Sequence, residues 1–130
     1  MARQYLNPDT LSPTRGRYTQ VIKSGNMIFV AGQVSSDAAG KVVGENDVKA
    51  QARQVYKNLE AALKSVGGSF SDVVKTTTYL TKQENFQVWS PIRAEIWPTN
   101  PPTSTLLIVS GLATPAYLIE VEAIAIIGDR

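Results

Sequence analysis

The chain has no cysteine and no histidine among its 130 residues. The first absence excludes disulfides, thiolate nucleophiles and iron–sulfur clusters. The second removes the commonest metal ligand and the one side chain whose unperturbed pKa lies near neutrality. A zinc site would have to be built from carboxylates alone, and Ser-His or Cys-His nucleophile pairs are excluded. No metal and no cofactor is expected. The sequence has no run of about 18 apolar residues that could form a spanning helix, and its opening, MARQYLNPDTLSP, lacks the apolar stretch of a signal peptide. No membrane contact and a cytoplasmic location are the expectation. Runs of like charge are also missing: 13 basic and 11 acidic residues are interspersed, whereas nucleic-acid binders gather basic side chains on one face. Nucleic acid is therefore not expected as a partner. Chemistry is left to carboxylates, Lys, Arg, Tyr, hydroxyls and backbone dipoles.

What is present reads as one domain over residues 1–130, since single cores divide only beyond roughly 250 residues. Residues 1–17, with Pro8, Pro13 and Gly16, predict an irregular or edge segment. Two short apolar runs, 19–23 and 27–31, flank Gly25-Asn26 and predict a hairpin. From 47 to 66, Val48, Ala52, Val55, Leu59, Ala62, Leu63 and Val66 recur at helical spacing, with Asn46 or Asp47 as cap and Gly67-Gly68 as terminator. The β-branched run 73–81 predicts a strand. A second helix is expected over about 83–97, with Thr81 and Glu84 in a capping-box pattern and Pro91 tolerated only if the helix starts late. Runs 104–110 and 117–127 are nearly continuous apolar strands. The order β-β-α-β-α-β-β gives an α+β domain, a mixed sheet with two helices on one face.

Two helices cover only one sheet face. Leu106, Ile108, Val121 and Ala123, or their alternating neighbours, would line the other, and a second copy of the chain is the economical cover.

Several segments, in order, resemble one family. Tyr18-Thr19-Gln20-Val21 and then Ile28-Phe29-Val30-Ala31-Gly32-Gln33 are similar to its opening hairpin, in which a proline-tyrosine-serine-glutamine run precedes a glycine-glutamine pair. Gln51, Gln54, Val55, Asn58 and Leu59 fit its first helix, and 72–77 its central strand. Pro101-Pro102-Thr103-Ser104-Thr105 with Ile119-Glu120-Val121-Glu122-Ala123 matches its C-terminal signature, proline-x-arginine-serine and then an isoleucine-glutamate strand. On these residues the chain resembles the Rid (YjgF) family. The resemblance implies a chorismate-mutase-like fold and a homotrimeric barrel with three small-molecule pockets at the subunit interfaces. Its archetypal members hydrolyse enamines and imines to keto acids and ammonia.

Carried over residue by residue, the resemblance makes Glu120 the catalytic group that orients water, with Tyr18 and Gly32 in the pocket wall. Thr103 stands at the position of the substrate-gripping arginine, with Ser104 and Thr105 beside it as further hydroxyls. Arg17 replaces the proline of the hairpin motif. One neutral hydroxyl replaces charge-assisted hydrogen bonds worth about 1.5–3 kcal/mol, roughly ten- to hundredfold in affinity. Activity on small 2-imino acids near background is therefore expected. Arg17, Arg15 two residues before it, and Arg93 are the candidate substitutes, Arg17 or Arg93 reaching the pocket from a different wall; the alternative is that all three face solvent or make trimer contacts. Glu122 reads as half of a structural ion pair, with Lys75 or an arginine across the sheet, and Trp89 and Trp97 as core. Three functions compete: a deaminase or related hydrolase acting on an enamine or imine other than the usual 2-imino acids, a non-catalytic small-molecule-binding or regulatory trimer, and, with least support from the residues, an endoribonuclease.

Overall fold

The computed structural model describes residues 2–128. Its strands are β1 (Gln4–Leu6), β2 (Val21–Ser24), β3 (Met27–Gln33), β4 (Val73–Leu80), β5 (Thr103–Ile108) and β6 (Ile119–Ile126), and its α-helices are α1 (Val48–Lys64) and α2 (Phe86–Ile96). They form one six-stranded sheet in the order β1-β2-β3-β6-β4-β5. Every pairing is antiparallel except β4 with β5. The mixed α+β architecture expected from the sequence is what forms. The N-terminal segment adds a short edge strand, β1, paired with β2.

Asp47 caps α1 by accepting from the Ala50 N–H at 3.1 Å. Asn46, the other candidate cap, instead adopts φ 62° in the preceding turn. The second helix differs from expectation. Residues Gln83–Asn85 form a 3₁₀ turn with Lys82, not Thr81, at its N-cap, and α2 then starts at Phe86. Pro91 lies in its second turn, where it lacks the N–H that would reach the Gln87 carbonyl.

The core lies between sheet and helices. Val55, Leu59 and Leu63 of α1 and Trp89 and Ile92 of α2 bury against Ile28, Val30, Leu80, Val121 and Ala123. Trp89 donates to the Tyr56 hydroxyl at 2.9 Å and Trp97 to the Phe70 carbonyl at 2.8 Å. Both tryptophans are core residues, as expected.

Strand alternation then assigns the open face. Val121 and Ala123 are buried under the helices, and register with Thr78 and Leu80 turns Leu106 and Ile108 to that same side. Their neighbours face away: Glu120, Glu122, Ile124 and Ile126 of β6, Met27 and Phe29 of β3, and Thr103, Thr105 and Leu107 of β5. Phe29 is 40% and Leu107 45% exposed in the single chain. Large apolar side chains standing in water on one sheet face are the mark of a surface built for association.

Candidate active site

One group of candidate residues gathers at the junction of β3 and β6. The pairing of these strands shifts register between Val30 and Gln33, and Gly32 sits in that irregularity. A Cβ built on Gly32 would overlap Oε2 of Glu120 and stand 2.7 Å from its Cδ. The carboxylate thus lies directly on the backbone of β3. Glycine is required here for space, since its φ is not in the left-handed region.

Burial pushes the Glu120 carboxyl above its ordinary pKa, and the neighbouring Glu122 carboxylate adds to the rise. Glu122 is placed differently from the sequence reading. Among the described residues it joins no ion pair; its Oε1 accepts a 2.5 Å hydrogen bond from the Tyr79 hydroxyl. That bond holds the phenol up at about 12 and so keeps it protonated. Glu120 is left as the half-buried carboxylate that no cation among the described residues pairs with.

Tyr18 is tied to this junction through two buried glutamines. Gln20 Nε2 donates to the Ser12 carbonyl at 2.9 Å and, at 3.5 Å, to the Tyr18 hydroxyl, while its Oε1 accepts from Gln33 Nε2 at 2.8 Å. Gln33 follows Gly32, so one polar chain joins the Tyr18 loop to the backbone against Glu120. Tyr18 itself is half exposed and, with Arg15, Ser36 and Tyr117, lines a cleft of about 260 Å³. Arg15 there has φ 56°, and Arg17 is exposed. From the helix side, Gln51 donates to the Gly44 and Ala116 carbonyls and accepts from the Leu118 N–H at 2.8 Å, fixing the chain just before Glu120. Gln20, Gln33 and Gln51 were not among the candidate site residues. Their sequence signal is their place in the hairpin and first-helix motifs, Gln20 after Tyr18-Thr19, Gln33 after Gly32 and Gln51 early in α1.

A second group lies where α2 meets β5. Thr103 is on the open face, and its hydroxyl donates to the Val74 carbonyl at 2.9 Å. Ser104 points to the helix side, where its Oγ accepts from Arg93 Nη1 at 3.1 Å. The guanidinium stacks over the Trp89 ring, 4.5 Å from its centroid. Farther along the same seam, Phe86, Gln87, Leu106 and Ile108 line a mostly apolar groove of about 440 Å³. Of the three arginines, Arg15 shares a cleft with Tyr18, and Arg93 is the one hydrogen-bonded to a candidate site residue.

The two groups do not meet within one chain. Glu120 pairs with Tyr79 and Ser104 with Thr76. These positions are about 10 Å apart along β4 and face opposite sides of the sheet.

The comparisons with known proteins agree with this architecture. The family model described as Endoribonuclease L-PSP matches residues 10–127. A RutC family protein of Pyrococcus horikoshii is 39% identical over 110 residues, 85% of this chain and 86% of that one. Reactive Intermediate Deaminase A, chloroplastic, of Arabidopsis thaliana is 36% identical over 124 residues, 95% of this chain and 65% of that protein. Among solved structures, RidA from a Psychrobacter species superposes with a TM-score of 0.88 at 30% identity, covering 95% of this chain and 99% of the other. The Rid protein YyfA of Yersinia pestis gives 0.91 at 30% identity, with 97% and 100% covered. With the family model spanning nearly its whole length and the fold matching throughout, the chain belongs to the endoribonuclease L-PSP family, the Rid (YjgF) group.

Proposed function

We propose that this protein hydrolyses the C=N bond of a small imine, or of an enamine once it has tautomerised to the imine, at a pocket completed by Glu120 of one copy and the α2–β5 seam of another in a homotrimer. The observation that carries the reading is Glu120: a half-buried carboxylate pressed onto Gly32, paired with no cation among the described residues and held above its ordinary pKa. A carboxylate in that setting accepts a proton from water more readily than an exposed one. Water adds to the imine carbon while Glu120 takes one of its protons and passes it to nitrogen, giving a carbinolamine; the hydroxyl proton then moves to the same nitrogen as the C–N bond breaks and C=O forms, so that a carbonyl compound and ammonia leave. An imine and one water are consumed, with no oxidant. The name of the Arabidopsis relative supports a deaminase role. The exposed Phe29 and Leu107 support association through the open face.

The substrate proposed is not a three- or four-carbon 2-imino acid, because the hydroxyls at Thr103 and Ser104 carry no charge. Ammonia release tests this: activity with 2-iminopropanoate is expected near background, and a longer imino acid is expected to be turned over. Ammonia from neither, with a keto acid still stabilising the fold, would favour the binding-protein reading instead. Salt-sensitive RNA binding with cleavage would favour the activity in the family's descriptive name.

A further inference from the structure

We propose that Tyr79 is a positioning residue for the reaction: its phenol pins the Glu122 carboxylate against β4, and Glu120 is thereby the carboxylate left to take the proton from water. The inference rests on the deaminase reading above and adds a residue to it.

The open face carries two carboxylates where the chemistry needs one base. Glu120 and Glu122 are two positions apart on β6, about 7 Å between Cα atoms, and share a face. Glu120 feels the charge of Glu122, and the surroundings of such a pair decide which member accepts a proton. Here the surroundings differ. Glu120 turns toward β3, its carboxylate lying on Gly32. Glu122 turns toward β4. The backbone partner of Glu120 there is Tyr79, and that of Glu122 is Thr77. Yet the Tyr79 hydroxyl reaches diagonally and donates to Glu122 Oε1 at 2.5 Å, the short length of a hydroxyl bonded to a carboxylate. Diagonal neighbours across a strand pair lie within reach of an aromatic side chain.

The phenol also stays a donor. Its bond to Glu122 holds it up at about 12, so it keeps its proton through the neutral range. The other charged neighbour on β4 is Lys75. It lines a small cleft with Thr77 and Glu122 but, among the described residues, makes no ion pair. Strands β3 and β5 contain no charged residue. The place of the Glu122 charge is therefore set by Tyr79. Held there, that charge adds to burial in strengthening Glu120 as a base. Without the phenol, Glu122 is free to turn into water, and Glu120 loses part of that support.

The test follows Glu120 itself. Carbon-13 labelling of the glutamate side-chain carboxyls in the intact protein gives a resonance that Glu120→Gln identifies by its loss. Its titration midpoint is expected at lower pH in Tyr79→Phe than in wild type. Glu122→Gln, which removes the charge directly, should move it in the same direction. Tyr79→Phe added to Glu122→Gln should produce no further shift, because the phenol acts through Glu122. Turnover should follow. With 2-imino-4-methylpentanoate as substrate, the acid limb of kcat in Tyr79→Phe should move to lower pH. At neutral pH kcat should fall roughly two- to fivefold, as for a weakened base, with KM unchanged, a split that a damaged fold does not give. A Glu120 midpoint that ignores Tyr79→Phe, or that moves equally with and without Glu122, would overturn the proposal. The titration needs no turnover, so a coupled shift in a protein that releases no ammonia sinks only the deaminase reading. Turnover with an acid limb indifferent to Tyr79 sinks only this one.

Discussion

Replacing Glu120 by glutamine is expected to lower turnover of a longer imino acid by about 10²–10⁴-fold, the range typical for loss of a positioned general base, while keto-acid affinity changes little. Glutamine keeps the size of the side chain and so its contact with Gly32, but it cannot take a proton from water. The pH profile follows from the direction of the shift. The Glu120 carboxyl is held above its ordinary pKa by burial and by Glu122, so the acid limb of activity should fall at higher pH than an exposed glutamate would give. Stability moves the other way. A carboxyl whose folded pKa is raised favours folding when protonated, below its unfolded pKa, and that contribution is lost as pH rises through the folded value. At neutral pH wild type carries the cost of a half-buried charge that Glu120→Gln does not. The variant should therefore melt at or above the wild-type temperature at pH 7, and its advantage should shrink toward pH 4. Wild-type turnover in Glu120→Gln would remove Glu120 from the chemistry.

Gly32→Ala is expected to be nearly as damaging to activity, for a steric reason. The added methyl group would overlap Oε2 of Glu120 and crowd Cδ at 2.7 Å and Cγ at 3.0 Å. Either the carboxylate swings off β3 or the irregular stretch between Val30 and Gln33 shifts. Overpacking of this kind costs roughly 1–3 kcal/mol, and displacement of a reacting group by about an ångström can cost about a hundredfold in rate. Because the methyl group and carboxylate touch, the two positions should couple. Glu120→Asp, shorter by one methylene, should recover part of the stability lost in Gly32→Ala, a non-additivity visible in a double-mutant cycle. Strictly additive melting shifts would show that the carboxylate does not lie on Gly32.

Much of this architecture is legible in the sequence, because it is written in periodicity. The 3.6-residue recurrence from Val48 to Leu63 and the β-branched run after Asp72 have one physical reading each. The open face was harder to assign. The run from Tyr117 to Ile127 is apolar on both sides, so alternation alone leaves open whether Val121 and Ala123 or Glu120 and Ile124 meet the helices. Only pairing with β3 and β4 settles the register. The site divides in the same way. Glu120, Tyr18 and Gly32 stand out from a motif, but the contact of Gly32 with the Glu120 carboxylate depends on a strand irregularity that no local pattern announces. Glu122 resembled half of an ion pair because carboxylates on strands so often are; its partner is a phenol two strand positions beyond the backbone pair Thr77. Arg93 lies 11 residues before Ser104 in the chain, and nothing but the close approach of α2 to β5 joins them. The amide clamps of Gln20, Gln33 and Gln51 are likewise long-range, and composition says nothing about which glutamines are buried.

The central claim is that a working pocket takes Glu120 from one copy and the α2–β5 seam from another. It is tested by mixing two variants, each spoiled in one half: Glu120→Gln, and Ile108→Trp, which fills the groove from a position 46% exposed in the single chain. Each alone should form trimers with little activity. Refolded together one to one, they should regain about a quarter of wild-type turnover, because in a closed ring about one interface in four joins two intact halves. Mixed trimers that stay as inactive as their parents, or an Ile108→Trp protein with full activity on its own, would contradict the account.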